Sequence, residues 1–292
     1  MDKKLQSLLL TTLFMVVPFL MEAKEFVYKL DEIYTIKLGG KISLSSRDAD
    51  IKIVGSDRKD VRVKIYRKVV IRGFYNTNED KFKVDVFEEG GDLYIKEVSR
   101  KWTGGVMVYT EKEYTILVEA PNNVNLKLDG DDDDYIIKNI EGSIKLDNND
   151  GDVVLENCTG KDFDLKLDDG NVEISDAKGF FSLYLNDGNF TAENCSFDEL
   201  DVRADDGDIY IETFIAENGG YNLKTDDGDI RIRVLGGGGE FEVQHDDASI
   251  RTSSVFKTSY DSEHRSKFTL AGGNSKIYLR TDDGRIDLIA SR

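Results

Sequence analysis

The chain has 292 residues, 39% of them hydrophobic and 33% charged, with a net charge of −18. That is enough apolar material for a packed core, which excludes wholesale disorder. The acidic balance excludes the phosphate-neutralising surface of a nucleic-acid binder and argues against docking on anionic lipid.

The first 23 residues differ from the rest. Lys3 and Lys4 give a positive start, Leu8 to Met21 is almost wholly apolar, and Ala23 offers a small residue before Lys24. This reads as a secretory signal peptide. The alternative is a membrane anchor, but the run is shorter than the roughly 18 residues a spanning helix needs. Met21 leaves the cut site open. No second apolar segment follows, so the expectation is an extracytoplasmic protein (periplasmic, cell-surface or secreted) without a transmembrane segment after cleavage.

Residues 24–120 carry strand patterning without a fixed period. Examples are Ile51-Lys52-Ile53, Val61-Arg62-Val63-Lys64-Ile65, Phe82-Lys83-Val84-Asp85-Val86 and Tyr114-Thr115-Ile116-Leu117-Val118. Ser46 to Ile51 is a faint first copy of a turn that dominates the rest of the chain. Arg72 to Asp80 and Ser99 to Gly105 read as loops. This part is expected to be an irregular β region that begins and caps a regular array.

Residues 121–292 repeat one phrase: two acidic or amide residues, a glycine, a further residue that is usually acidic or amide, then an alternating apolar run. Its glycines are Gly151, Gly170, Gly188, Gly207 and Gly228, spaced 19, 18, 19 and 21 residues apart, with a last copy at Gly284. A fixed period near 20 is the mark of a stacked repeat. Two and four residues after each glycine stand apolar residues such as Val172/Ile174 and Ile209/Ile211. Seven and five residues before it stand others such as Phe181/Leu183 and Tyr221/Leu223. Alternation on both sides means two half-buried strands joined at the Asp-Gly turn. The pattern predicts an all-β fold, a single-stranded β-solenoid (parallel β-helix-like) of about nine coils preceded by the irregular region. An antiparallel meander or sandwich is the alternative, because Asp-Gly also starts hairpins. Asp133 and Ala248 take the glycine slot in two hidden copies, and a degenerate coil is expected near Ser266, with Phe268 and Leu270 inward. At about 4.8 Å per strand the array is a rod on the order of 40 Å long.

A secreted start, an irregular β region ending in Val118-Glu119-Ala120-Pro121-Asn122-Asn123-Val124, and then Asp-Gly-Asp-Ile coils together resemble the bacterial putative-adhesin family of β-strand repeats, the Toastrack-like domains. The resemblance covers roughly residues 40–290. It implies a β-solenoid with an envelope or surface role, no established enzyme activity and no catalytic residue.

Two kinds of candidate site follow from the register. The first is the acidic turn, with Asp187, Asp205, Asp206, Asp208, Asp226, Asp227 and Asp229 as possible ligands of Ca²⁺, which takes oxygen donors. Two charges one strand apart in water repel by roughly 0.9 kcal/mol, so something must offset the stacking. The competing explanation is turn chemistry, since Asp and Asn tolerate turns and bond the nearby backbone. No other cofactor is expected. The second candidate is a mixed-charge face beside the turn, Tyr184, Arg203, Tyr210, Lys224, Arg231 and Arg251, suited to a glycan or an extracellular or envelope protein. Its competing explanation is mutual screening of surface charge.

Cys158 and Cys195 share an inward column read as Ile140, Cys158, Ala177, Cys195, Phe214, Leu235. They stand two coils, about 9.6 Å, apart, beyond the roughly 7 Å limit of a disulfide, so two free buried thiols are expected. His245 falls in an inward slot, which suits a core or capping role. Trp102 sits in a predicted loop tip, either as a contact aromatic or packed on a neighbouring strand. Polysaccharide-acting β-helices use paired carboxylates, but here the acids recur uniformly without a unique cluster. The expectation is a non-enzymatic, secreted or envelope-associated interaction protein, with a calcium-stabilised envelope protein as the first alternative and a polysaccharide-acting enzyme as the second.

Overall fold

Period-2 alternation becomes strand pairs at every copy of the phrase. The computed structural model describes residues 23–75, 81–98 and 105–291, with side chains at 23–72, 81–98 and 111–291. The apolar run before Ala23 and Trp102 lie outside these residues. The molecule is all-β, with 24 strands among the described residues, most of them paired in parallel. No helix among those residues is long and apolar enough to cross a membrane.

The N-terminal strands are β1 (Lys24–Thr35), β2 (Lys41–Ser45), β3 (Asp50–Ser56), β4 (Asp60–Tyr75), β5 (Val84–Glu89), β6 (Asp92–Glu97) and β7 (Gly105–Pro121). The repeats supply β8 (Asn125–Asp129), β9 (Asp134–Lys138), β10 (Ile144–Asp150), β11 (Val153–Glu156), β12 (Thr159–Asp169) and β13 (Val172–Ser175). They continue with β14 (Lys178–Asp187), β15 (Phe190–Asp206), β16 (Ile209–Phe214), β17 (Gly220–Lys224) and β18 (Ile230–Gly236). The chain ends with β19 (Gly239–His245), β20 (Ser249–Thr252), β21 (Lys257–Ser262), β22 (Arg265–Leu270), β23 (Ser275–Thr281) and β24 (Arg285–Ala290).

These strands form two faces that meet at the acidic turn. The front face runs β6, β2, β8, β10, β12, β14, the second half of β15, β17, β23 and β19, all parallel. The back face runs β7, β3, β9, β11, β13, the first half of β15, β16, β18, β24 and β20, also parallel. A front strand, its turn and the following back strand make one rung. The inward positions predicted from the repeat are buried, from Val153 and Leu155 through Phe181 and Leu183 to Ile286 and Leu288. One apolar cluster extends from Ile42 to Leu288 without interruption.

The stacking order departs from chain order at both ends. The β2–β3 rung lies between β6–β7 and β8–β9, so regular parallel pairing reaches into the region expected to be irregular. At the other end, β23–β24 lies between β17–β18 and β19–β20. The coil expected near Ser266 does not form. Those residues make the antiparallel hairpin β21–β22, and β22 runs antiparallel along β19. Phe268 and Leu270 are nonetheless buried, because the hairpin closes the end of the front face. Antiparallel strands also close the start, with β5 on β6 and with β1, β4 and β7 forming a ribbon.

The cysteine column also departs from the expected register. Cys195 pairs with Thr213, not Phe214, after a register shift between Ala192 and Cys195. Earlier rungs turn their second corner on a left-handed Asn or Asp (Asn139, Asn157, Asp176, Asn194), and the β16 rung has none. Without that extra residue the pleat continues, Thr213 is buried, and Phe214 and Leu235 face solvent at 46% and 38% exposure. Cys158 and Cys195 are both buried and free, and burial raises both thiol pKa values, that of Cys195 to about 11.

Candidate functional site

The acidic turn is built from three stacked columns, each with its own task. Glycine occupies the first because a side chain has no room. Gly170 has φ +135, and a Cβ on it would stand 2.1 Å from the carbonyl oxygen of Gly151 on the adjacent rung. The residue after the glycine forms the second column. Asn171 N–H donates to Asp152 Oδ1 at 2.8 Å, Asn189 N–H to Asn171 Oδ1 at 3.1 Å and Asp208 N–H to Asn189 Oδ1 at 3.0 Å. Asp229 N–H donates to Asp208 Oδ1, and Arg285 N–H to Asp229 Oδ1, each at 2.8 Å. Each side chain thus accepts the corner N–H of the next rung, a donor that would otherwise have no partner in the fold. Arg285 ends this run with a guanidinium on Asp229 Oδ2 at 2.6 Å.

The residue before the glycine forms the third column. Asp132, Asp150, Asp169, Asp187, Asp206, Asp227 and Asp283 stand on consecutive rungs in register. The Asp150 carboxyl is raised from its ordinary pKa, first by desolvation and then by the charges of Asp169 and Asp132. Asp205 and Asp226 are exposed one position further back. Of the seven aspartates singled out from the sequence, Asp208 and Asp229 therefore lie in the hydrogen-bonded column, while Asp187, Asp206 and Asp227 lie in the stacked one. Among the described residues no three His, Cys, Asp or Glu side chains group so as to hold a metal ion.

Asp133 breaks the phrase by standing in the glycine slot, and it is fully buried. Its Oδ1 accepts Ala49 N–H at 2.7 Å and its Oδ2 accepts Ser46 Oγ–H at 2.9 Å, which ties the first turn to the third rung. Burial pushes its carboxyl up to about 6 against those hydrogen bonds. Asn148 Oδ1 and Tyr135 Oη are buried beside it with no hydrogen-bond partner among the described residues. A Cβ on Gly130 would lie 2.0 Å from Asn148 Oδ1, 2.7 Å from Tyr135 Oη and 2.8 Å from Asp133 Oδ2, so glycine is what admits this polar group.

The mixed-charge face divides into two. Lys166, Tyr184, Arg203, Lys224 and Arg280 follow one another on the front face. Tyr210 and Arg231 are neighbours on the back face, with the turn between the two sets. Arg251 is not beside Arg231. The displaced β23–β24 rung puts Asp287 between them, and Arg231 pairs with Asp287 at 3.2 Å. On the front, Arg203 contacts the Asp201 carboxylate at 3.4 Å, and the Lys224 ammonium lies 5.4 Å from the centroid of the Tyr278 ring. The six candidates are thus not one patch.

Beside the front cations lies a groove of about 490 Å³ that the sequence reading missed. Phe180, 40% exposed, stands at its edge, and Gly220 leaves a dip where a Cβ would meet nothing within 4 Å. The available signal was Phe180-Phe181: alternation sends Phe181 inward and so sends Phe180 out, an apolar residue in a column otherwise filled by Glu199 and Lys276. His245 and His264 come together at the end of the front face. His245 N–H donates to the His264 carbonyl at 3.2 Å, and His264 Nδ1 lies 3.3 Å from Asp246.

No curated protein matches the chain. Two solved structures are similar over 90% of it. One is described as a putative cell adhesion protein from Clostridium sporogenes, 13% identical, with all of that chain covered and a TM-score of 0.35. The other is described as a putative adhesin from Bacteroides fragilis, 14% identical, with 97% of that chain covered and a TM-score of 0.47. The family model described as Toastrack DUF4097 matches residues 40–289, from the first rung to the last back strand. The chain therefore belongs to the Toastrack DUF4097 family.

Proposed function

We propose that this chain is an extracytoplasmic, non-enzymatic β-solenoid that displays its front face to an envelope or extracellular partner. The observation that carries the reading is the run of Tyr184, Arg203 and Lys224 on consecutive rungs, aromatic and cationic side chains at the surface of a strongly acidic molecule. Aromatic and Arg side chains are the usual anchors of recognition surfaces, and a continuous core beneath holds them in fixed spacing. The amino-terminal apolar run, ended by a small residue, supports the extracytoplasmic location. The test is binding of the labelled protein to intact bacterial cells and to immobilised extracellular proteins and glycans. Changing Tyr184, Arg203 and Lys224 together to Ala is expected to weaken binding at least about tenfold, a loss of about 1.4 kcal/mol. Absence of binding to every surface would sink the reading.

A second reading, calcium bridging the stacked aspartates, is supported by the in-register column from Asp132 to Asp283 and by the mutual repulsion felt at Asp150. It requires unfolding to shift upward with calcium beyond the shift from equal ionic strength.

A further inference from the structure

We infer that the front-face groove is a subsite for an uncharged oligosaccharide, seated on Phe180. The inference rests on the recognition role proposed above and supplies its ligand class. Phe180 stacks on no other ring among the described residues, whereas the neighbouring Phe181 is packed against Phe163, Phe190 and Phe197 inside. An exposed aromatic face with nothing over it suits the apolar C–H face of a sugar ring. The rest of the groove suits the hydroxyls. Asp162, Glu199, Asp201, Asn222 and Tyr278 line it together with Phe180. Asn222 Nδ2 donates to Asp201 Oδ1 at 2.6 Å, which fixes the amide and leaves its Oδ1 as an acceptor. The Tyr278 ring is held from both sides, by the Lys224 ammonium and by its own hydroxyl, which donates to Gln244 Oε1 at 2.5 Å. A rigid wall therefore faces Phe180 across the dip at Gly220.

Charge decides between sugar classes. Asp162, Glu199 and Asp201 put three carboxylates around the groove; Arg203 offsets Asp201, and the lysine that lines the groove, Lys276, is paired with Glu240, so the charge there stays negative. Such a site repels carboxylated and sulfated glycans and offers acceptors to neutral hydroxyl groups. Its volume lies within the roughly 300–1,000 Å³ of ligand clefts. The bulge between Gly179 and Phe180 fixes the aromatic at this edge.

The test is a printed array of neutral, amino and carboxylated oligosaccharides, followed by calorimetric titration with the strongest neutral one. The wild type is expected to bind neutral sugars. Phe180→Ala is expected to weaken that binding about tenfold or more, Phe180→Trp to retain it, and Lys52→Ala, on the exposed side of the back-face strand β3, to leave it within a factor of about two. Circular dichroism melts of each variant separate lost binding from lost fold. Neutral sugars bound equally by Phe180→Ala would overturn the groove and leave the recognition role standing. Binding confined to carboxylated sugars, or none, would also overturn the groove. In the latter case, a cell-surface, protein or glycan ligand lost on changing Tyr184, Arg203 and Lys224 together would keep the broader function, and absence of binding to every surface would remove both.

Discussion

At the scale of single residues, the departures from the repeat carry the most information. Asp133 is the clearest, since every other acid of the turn stands at the surface and this one is buried. Its folded-state pKa of about 6 exceeds the ordinary carboxyl value of 3.8 because burial disfavours the charged form. The folded protein then binds the proton more tightly than the unfolded chain. The stabilisation is full below about pH 4, declines as pH rises toward 6 and is lost above it. Asp133→Asn keeps an acceptor for Ala49 N–H and offers Ser46 Oγ a donor. Urea unfolding from pH 4 to pH 7 is expected to show the wild type losing up to about 3 kcal/mol relative to Asp133→Asn. Parallel curves for the two proteins would mean that Asp133 does not titrate in this window. Phe180 teaches the complementary lesson: an apolar residue in an outward slot is as informative as an acid in an inward one.

At the scale of the element, the turn explains why aspartate, asparagine and glycine recur together. Stacked strands satisfy their own N–H and C=O groups, but a corner leaves an N–H pointing at the preceding rung. The Asx side chain after the glycine accepts it, and Asp or Asn serves equally because either offers Oδ1. Inside the corner, Thr225 and Thr281 donate to the carbonyls of Gly207 and Gly228 at 3.0 and 2.9 Å, closing the same account from the other side. Substitutions at Asp208 separate this role from calcium binding. Asp208→Asn keeps the acceptor for Asp229 N–H and should unfold like the wild type, whereas Asp208→Ala should lose about 1 kcal/mol. If calcium bridges the stacked column, wild type and Asp208→Asn alike should gain stability from millimolar calcium at matched ionic strength, and a variant with Asp206→Asn and Asp227→Asn together should gain less.

At the scale of the whole molecule, the ends are interleaved. The last rung in sequence is the penultimate rung in space, gripped on one side by β17–β18 and on the other by β19–β20. In a stack that follows chain order, removing the last rung shortens the rod by one layer. Here it opens the stack, because Ile277, Leu279, Ile286 and Leu288 are buried between two layers whose strands pair with β23–β24 and not with each other. Truncation after Ala271 is therefore expected to expose apolar surface and to lose amide protection in β17, β18, β19 and β20 together, read by hydrogen exchange. Loss of protection confined to the hairpin β21–β22 would show that the neighbouring rungs close over the gap. The same interleaving at the start joins β2–β3 to both β6–β7 and β8–β9, so the irregular region and the repeats share one core.

Much of this was legible in the sequence. The period placed the turns, the alternation named the buried residues, and the Val118-to-Val124 passage with its Asp-Gly coils pointed to the family, because each of these is a local pattern repeated many times. Local patterns do not state which rung lies beside which. Two rungs with the same spacing of apolar residues stack equally well on several partners, so the displacement of β23–β24, the separation of Arg251 from Arg231 and the failure of a coil at Ser266 were decided only by long-range packing. The groove at Phe180 was hidden for the same reason, since its walls come from five rungs that lie far apart in the chain and meet only when strands pair. The sequence by itself determined the strands, the turns and the inward columns, through the two-residue pleat and the steric demands of glycine. The tertiary structure alone decided neighbours and surfaces, because those depend on which backbones share hydrogen bonds.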